Sequence, residues 1–345
     1  MKKIILFILL AILFFCGLSV LIFNSGNGND ISKHNSDNSN YKINSKDIDI
    51  SKDITEEPVI KVYITKAKEI KKIKLEEYVE GVTASEMQPE FQLEALKAQA
   101  VAARTFAISH ISEYGGIKYS GAHGADVNDT SSCQVYVDKE DKIKSWSKKY
   151  ADDYWNKIVQ AVTSTKGEVI TYNGKIIMYP YYFSTSSGKT ENSVDVFNLD
   201  EPYLKSVDSS IEKVSPDFRT MAKYTYKYFI NKINASVKGA NLAYNDLKNQ
   251  VSVIKRTDAG SVMKIELGKE TVTGSKFREI LNLKSANFTV GYDNGYVEIF
   301  CSGYGHDVGM SQWGANVMAG MNKDYKEIIE HYYTGVSIER LAYGK

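Results

Sequence analysis

Three cysteines in 345 residues are too few to staple a fold, so a disulfide framework is excluded. Cys16 lies in an apolar run. Cys133 and Cys301 stand far apart and read as two buried free thiols, with a pairing between them as the alternative. Net charge is nearly absent as well. The 43 basic and 42 acidic residues leave +1, which excludes a protein that holds nucleic acid through a broad basic field. No internal repeat runs along the chain, and long apolar runs are missing save one, at residues 4–23.

What is present starts with that run. IILFILLAILFFCGLSVLIF (4–23) is long enough to span a bilayer. Lys2 and Lys3 before it predict a cytoplasmic stub over 1–3, with the remainder outside. A cleaved signal peptide is the alternative, disfavoured by the length of the run and the lack of an A-x-A site. A lipid on Cys16 is disfavoured by the bulky Phe14 and Phe15 just before it. Residues 24–57 are rich in Asn, Ser, Asp and Lys. They bury too little apolar surface to offset the entropy of ordering and read as a flexible tether. Residues 58–345 are left for an ectodomain. The chain's 24 tyrosines suit sugar-binding surfaces and ordinary sheets alike.

The ectodomain is organised around LEEYVEGVTASEMQPEFQLEALKAQAVAARTFAISHI (75–111). Pro89 biases Gln88 away from the helical region, which predicts that a helix from Leu75 breaks near Glu86. Small and apolar residues at helical spacing predict a second, buried helix from Glu90 to Ser112. Glu86 thus sits at a helix break beside a rigid scaffold, a suitable place for a reactive group. Strands are predicted at 59–64 and 134–137, and a helix at 151–164. A hairpin over 168–183 turns at Asn173-Gly174. Residues 222–237 are ambiguous between strand and helix. Strands at 251–256 and 261–267, a helix at 275–282, and extended segments at 287–291 and 296–300 follow. A glycine-rich turn (301–309) leads into a helix from Met310 to Gly320, and a last helix covers 324–334. The fold class is α+β, with mixed helices and short sheets in two lobes around a cleft, the boundary falling near 195–215.

Four stretches together resemble the stage II sporulation protein D family, also seen in amidase enhancer proteins. They are TASEMQPEFQLEALKAQAVAARTFA (83–107), DTSSCQVY (129–136), YYFSTSSGKTENS (181–193) and GYGHDVGMSQWGA (303–315). The similarity spans roughly residues 59–340, and the first and last motifs are the most specific. The resemblance implies a membrane-anchored lytic transglycosylase that cuts peptidoglycan glycan strands during engulfment of the forespore. It implies a complex with two other membrane proteins, one of them an amidase that strips stem peptides first. It places the catalytic acid at Glu86 and includes Arg104 in the site. It makes the loop with Tyr182, Ser184, Ser186, Ser187 and Gly188 a cleft wall. Relatives commonly have Gly where this chain has Asp307. Some hold zinc in the loop after the central helix with one His and two Cys. This chain offers only His123 and Cys133 there, with Asp126 or Asp129 as further candidates, so no structural zinc and no cofactor is expected.

A lytic transglycosylase needs a single carboxyl group, whereas hydrolytic glycosidases usually need two. The acid must stay protonated near neutral pH, which an apolar site achieves. A guanidinium on Glu86 would lower its pKa, so Arg104 is assigned to substrate or backbone anchoring. His306 and Gln312 are expected to line the cleft. Two rivals remain. One is a hydrolytic muramidase or glucosaminidase with Asp195 or Glu191 as second carboxylate. The other is a non-catalytic glycan-binding activator of an amidase.

Overall fold

The computed structural model describes residues 54–345. The run at 4–23 and the tether as far as residue 53 lie outside the described residues. Among the described residues, no helix is long and apolar enough to cross a membrane. The described residues start slightly before Pro58. Ile54 is buried, and its carbonyl accepts the N–H of Tyr343 at 2.8 Å, so the two ends of the described chain meet.

Strand β1 (Val59–Ile64) pairs antiparallel with β2 (Glu69–Lys74) in unbroken register from Val59↔Lys74 to Ile64↔Glu69. Its alternate residues Ile60 and Val62 are fully buried, as a half-buried strand requires. Helix α1 (Leu75–Glu86) follows at once and buries Leu75, Tyr78, Val79 and Val82. It stops where expected, with Met87 extended just ahead of the Gln88-Pro89 step. Helix α2 (Leu93–His110) is shorter than expected at both ends and is the centre of the larger core. Its six alanines, Ala95, Ala98, Ala100, Ala102, Ala103 and Ala107, are all inaccessible. Short side chains on every face let several elements approach one helix, and α1 and the strand Glu168–Tyr172 both pack on it. The link between α1 and α2 is held from outside. Lys157 donates to the carbonyls of Pro89 (3.1 Å), Glu90 (3.3 Å) and Phe91.

Some expectations are corrected. Residues 134–137 form no strand. The parallel partner of β1 is instead β3 (Val127–Asn128), and the N–H of Val135 goes to Glu86. Helices α3 (Lys139–Ser145) and α4 (Ala151–Ser164) come next. Strand β4 (Glu168–Tyr172) turns at Asn173 and Gly174, both at positive φ, but its partner β5 is only Lys175–Ile176. The rest of the expected arm leaves the hairpin, and β6 (Tyr182–Phe183) pairs in parallel with Met310–Ser311. That close approach needs Gly309. Its φ is +78°, and a Cβ there would lie 2.1 Å from the carbonyl oxygen of Tyr181.

A second core occupies residues 226–301. The ambiguous segment resolves into both alternatives, strand Arg219–Thr225 followed by helix Tyr226–Ser236. This region carries two three-stranded sheets. One orders Phe288–Asp293, Tyr296–Ser302 and Arg219–Thr225; the other orders Glu270–Val272, Val262–Leu267 and Val251–Arg256. The larger core draws on residues from both before and after it, up to Tyr343. The second core is therefore an insertion in the first, and its edge lies at Arg219, beyond the expected 195–215. The return brings in helices Gln312–Gly320 and Tyr325–Tyr332. The architecture is α+β.

Candidate active site

Glu86 is the last residue of α1. Its half-buried carboxylate accepts the backbone N–H of Val135 at 2.7 Å. The Tyr182 hydroxyl, the Gln312 side-chain amide and, farther off, the Lys142 ammonium also face it. Burial raises its pKa above the ordinary value of 4.5. The Val135 bond, Tyr182, Gln312 and Lys142 pull the other way without cancelling the burial. The result is a carboxyl group biased towards its protonated form, with donors in place for the carboxylate.

Those donors are themselves held. Gln134 donates to the Tyr182 hydroxyl at 3.1 Å and accepts from the Tyr78 hydroxyl at 3.3 Å. Gln312 donates to Gln99 on α2 at 3.3 Å. Gln312 opens the helix Gln312–Gly320, for which Ser311 is the N-cap, accepting the N–H of Gly314 at 3.2 Å. Gln99, Gln134 and Lys142 are participants that the sequence reading missed. Gln134 lies inside the DTSSCQVY motif, which was the available signal.

The Ser-rich loop is more structural than expected. Ser186 is fully buried, donates its N–H to Glu212 at 2.8 Å and takes the N–H of Gly188 on its hydroxyl, so it does not face a ligand. Glu212 also accepts from Ser209 and Ser311. This buried carboxyl, raised in pKa by burial against those bonds, ties the loop to the helix that carries Gln312. Gly314 is required beside it, since a Cβ there would lie 1.9 Å from the Tyr332 hydroxyl. Ser184 is half-buried and accepts the N–H of Trp313 on its carbonyl at 3.0 Å. Gly188, at φ +122°, has open space where a Cβ would be.

His306 is on the other side of β6 from Glu86. It sits among Tyr181, Phe183 and Phe197, with ring centroids at 5.9, 5.7 and 5.2 Å. Alternation along the strand explains this, because Tyr181 and Phe183 point opposite to Tyr182. Burial, aided by the charge of Arg278, pushes the His306 pKa down to about 4. The neutral ring accepts the N–H of Val308 at 3.1 Å and faces the Tyr182 carbonyl, so it positions the strand and does not line the Glu86 cleft.

Arg104 is also corrected. It is fully buried and grips Glu76 through Nε at 2.9 Å and Nη2 at 2.7 Å, with the carbonyls of Glu168 and Val162 at 3.1 and 3.3 Å. Of its two assigned roles, these contacts are those of backbone anchoring. The chain does reverse around Pro89, but reversal sets residue 104 opposite residue 76, each 14 positions from residue 90.

The weak metal candidates are engaged elsewhere. The His123 ring lies tilted against Tyr63 with centroids 4.4 Å apart, and the Cys133 sulfur takes the N–H of Asn128 at 3.5 Å. Burial pushes the Cys133 thiol up to about 11. Asp126 accepts from the N–H of Lys61, and Asp129 from Thr65. Among the described residues, no group of three His, Cys, Asp or Glu is placed to hold a metal. Cys301 is buried and free, and Cys133 is half-buried and free.

The carboxylates named for a hydrolase are not beside Glu86. Asp195 lines a small cavity with His306 and Arg278. Glu191 is buried and accepts from Thr257 at 2.8 Å and Ser261 at 3.2 Å, both in the inserted region. Asp307 is buried next to it at φ +62°. Ser187 lies against it in poor hydrogen-bonding geometry, and neither Asp307 carboxyl oxygen has a partner. Burial, then the charge of Glu191, raises the Asp307 pKa well above the usual range. Replacing Asp307 with Gly should therefore stabilise the protein by about 1 kcal/mol, the relief of left-handed strain and of an unpaired buried group less the entropy of glycine. A urea titration of Asp307→Gly checks it; an unchanged or lower midpoint refutes it.

Comparison with known proteins agrees with the motifs. The family model described as Stage II sporulation protein matches residues 63–172, which include Glu86 but not Tyr182 or Gln312. The stage II sporulation protein D of Bacillus amyloliquefaciens is 40% identical over 286 residues, covering 83% of this chain and 80% of that protein. The protein of the same name from Bacillus subtilis (strain 168) is 37% identical over 279 residues, covering 81% and 78%. The amidase enhancer of Bacillus subtilis (strain 168) is 29% identical over 307 residues, covering 75% of this chain and 40% of the enhancer.

Proposed function

Since the chain belongs to the stage II sporulation protein D family, we propose that it is a lytic transglycosylase of peptidoglycan that acts in sporulation, with Glu86 as its single acid and base. The observation that carries this reading is one carboxyl group, raised in pKa by burial, with a backbone donor, a tyrosine and a glutamine around it. Glu86 gives its proton to the glycosidic oxygen between N-acetylmuramic acid and N-acetylglucosamine as the C1–O bond breaks. The muramic O6 then bonds to C1, and the ionised Glu86 takes the O6 proton. Atoms balance without water, and the product ends in a 1,6-anhydro ring. The Val135 N–H, Tyr182 and Gln312 stabilise the carboxylate between the two proton transfers.

The same reading places the apolar run at 4–23 in the cell membrane, with the catalytic domain outside on glycan already stripped of stem peptides. The partners are a sporulation amidase and a second membrane protein of the engulfment complex. A non-catalytic activator is the second reading, favoured by the likeness to an amidase enhancer.

The test is to incubate the full-length chain with glycan strands free of stem peptides and analyse the products by mass spectrometry. Anhydro-muramic ends support the transglycosylase, and reducing ends require a hydrolase. Retained binding without cleavage, together with stimulation of an amidase, requires the activator. Activity should fall as pH rises through the Glu86 pKa, because the acid must be protonated. Tyr182→Phe removes a group that favours the carboxylate, so the alkaline limb should move to higher pH while the maximal rate drops. A limb that stays in place, measured on the same glycan, would separate Tyr182 from Glu86.

A further inference from the structure

Beside Glu86, a row of aromatic rings and ammonium groups leads out along the surface. Lys142, on α3, is near enough to Glu86 for their charges to interact, and its Nζ lies 5.4 Å from the Trp146 ring centre. Trp146 meets Tyr154 edge to face at 5.6 Å, and Tyr154 stacks with Tyr150 at 5.8 Å. Lys149 closes the row, 4.8 Å over the Tyr150 ring. Only Trp146 of these rings leans on the larger core, and Tyr150 is 42% exposed. Among the described residues neither Lys142 nor Lys149 forms a salt bridge to a carboxylate, although α3 supplies two carboxylates to Lys144.

We propose that this row is a glycan-binding track that holds the strand on one side of the scissile bond and reads its carboxylates. The inference rests on the proposed reading of Glu86 as a residue that acts on glycan. A polymer substrate has to be gripped beyond the bond being cut. Flat aromatic faces with polar tips suit the C–H faces and hydroxyls of pyranose rings. Glycan stripped of its peptides carries a free lactyl carboxylate on every second sugar, and ammonium groups spaced along aromatic platforms complement it. A neutral sugar polymer would use the rings and leave the lysines idle. Tyr150 is open to solvent, Lys149 has no salt bridge among the described residues, and the carboxylate that Lys142 faces is Glu86 itself, so the row is placed to meet a ligand that enters the site.

The test uses the full-length chain carrying Glu86→Gln, so that nothing is cut, with two probes of equal length. One is glycan free of stem peptides; the other is a chitin oligosaccharide, which has no carboxylate. Calorimetry on Tyr150→Ala and Trp146→Ala should show both probes bound about tenfold more weakly. Lys142→Gln with Lys149→Gln should weaken the anionic probe by about threefold or more and leave the neutral one unchanged. Tyr150→Ala is the safer variant, because its side chain supports no core. Unchanged binding of both probes by the aromatic variants overturns the track, and equal loss of both probes by the lysine variant overturns the carboxylate reading. If Tyr150→Ala in the Glu86 protein also cleaves normally, the track fails while the proposed reaction stands. If the parent binds neither probe, both fall together.

Discussion

Glu86→Gln should lower glycan cleavage by at least about 10²–10⁴-fold, the usual contribution of a general acid, and more if both proton transfers depend on it. The same change should stabilise the fold at neutral and alkaline pH. Burial raises the Glu86 pKa in the folded state above 4.5, against the pull of Val135, Tyr182, Gln312 and Lys142. The folded protein therefore binds this proton more tightly than the unfolded chain does. The stability this contributes is complete below the unfolded pKa and is lost as pH rises through the folded one. Glutamine never ionises, and its carbonyl oxygen can still accept the Val135 N–H. Thermal melts of the two proteins should coincide near pH 4 and separate in favour of Glu86→Gln above pH 7. Loss of activity with a melt lower than the parent's at every pH would mean that Glu86 is a structural cap. Loss of activity with the opposite pH dependence would mean that its pKa is not raised. The activator reading predicts unaltered stimulation of an amidase by this variant, so one protein separates three accounts.

Much of this site was legible because its signals are local. Pro89 fixes where α1 must stop, and that places Glu86 at the helix end. The Asn173-Gly174 turn and the buried period of α2 are also dictated by residues near in sequence. What failed depended on partners distant in the chain. Nothing in Gln134-Val135-Tyr136 shows that the Val135 N–H will leave a strand ladder for a carboxylate 49 residues earlier. The apolar 175–183 segment reads as a hairpin arm until Gly309 allows Met310–Ser311 to lie beside Tyr182–Phe183. His306 was assigned to the cleft by its position in a motif, and strand alternation sent it to the opposite face. Ser186 carries a hydroxyl suited to sugars, yet a buried Glu212 claims its backbone. Motif membership thus located the neighbourhood of the site, while the division between contact and support was set by pairings that no short window contains.

Arg104→Leu should destabilise the protein by about 3–5 kcal/mol, because it strands a buried carboxylate. Glu76, whose side chain is 13% exposed, accepts both Arg104 bonds, the Tyr343 hydroxyl at 2.7 Å and the Gly167 N–H at 3.3 Å. Arg104 itself is wholly inaccessible and also binds two carbonyls, at Glu168 and Val162. One guanidinium thus joins α1, α2, the end of α4 and the start of β4. Burial works to raise the Glu76 pKa, but Arg104, Tyr343 and Gly167 outweigh it, and the pKa is lowered. The stability this contributes is present above the unfolded pKa and is lost as pH falls through the folded one, so the parent should weaken in acid. Arg104→Lys should recover little, since a point charge cannot span two carboxylate oxygens and two carbonyls. Arg104→Leu combined with Glu76→Leu should recover most of the loss, because replacing a whole buried pair is often neutral. Urea titrations of the parent, Arg104→Leu, Glu76→Leu and the double variant complete the cycle and give the coupling energy. If Arg104→Leu unfolded at the parent's midpoint and lost only glycan binding, Arg104 would belong to the substrate site after all.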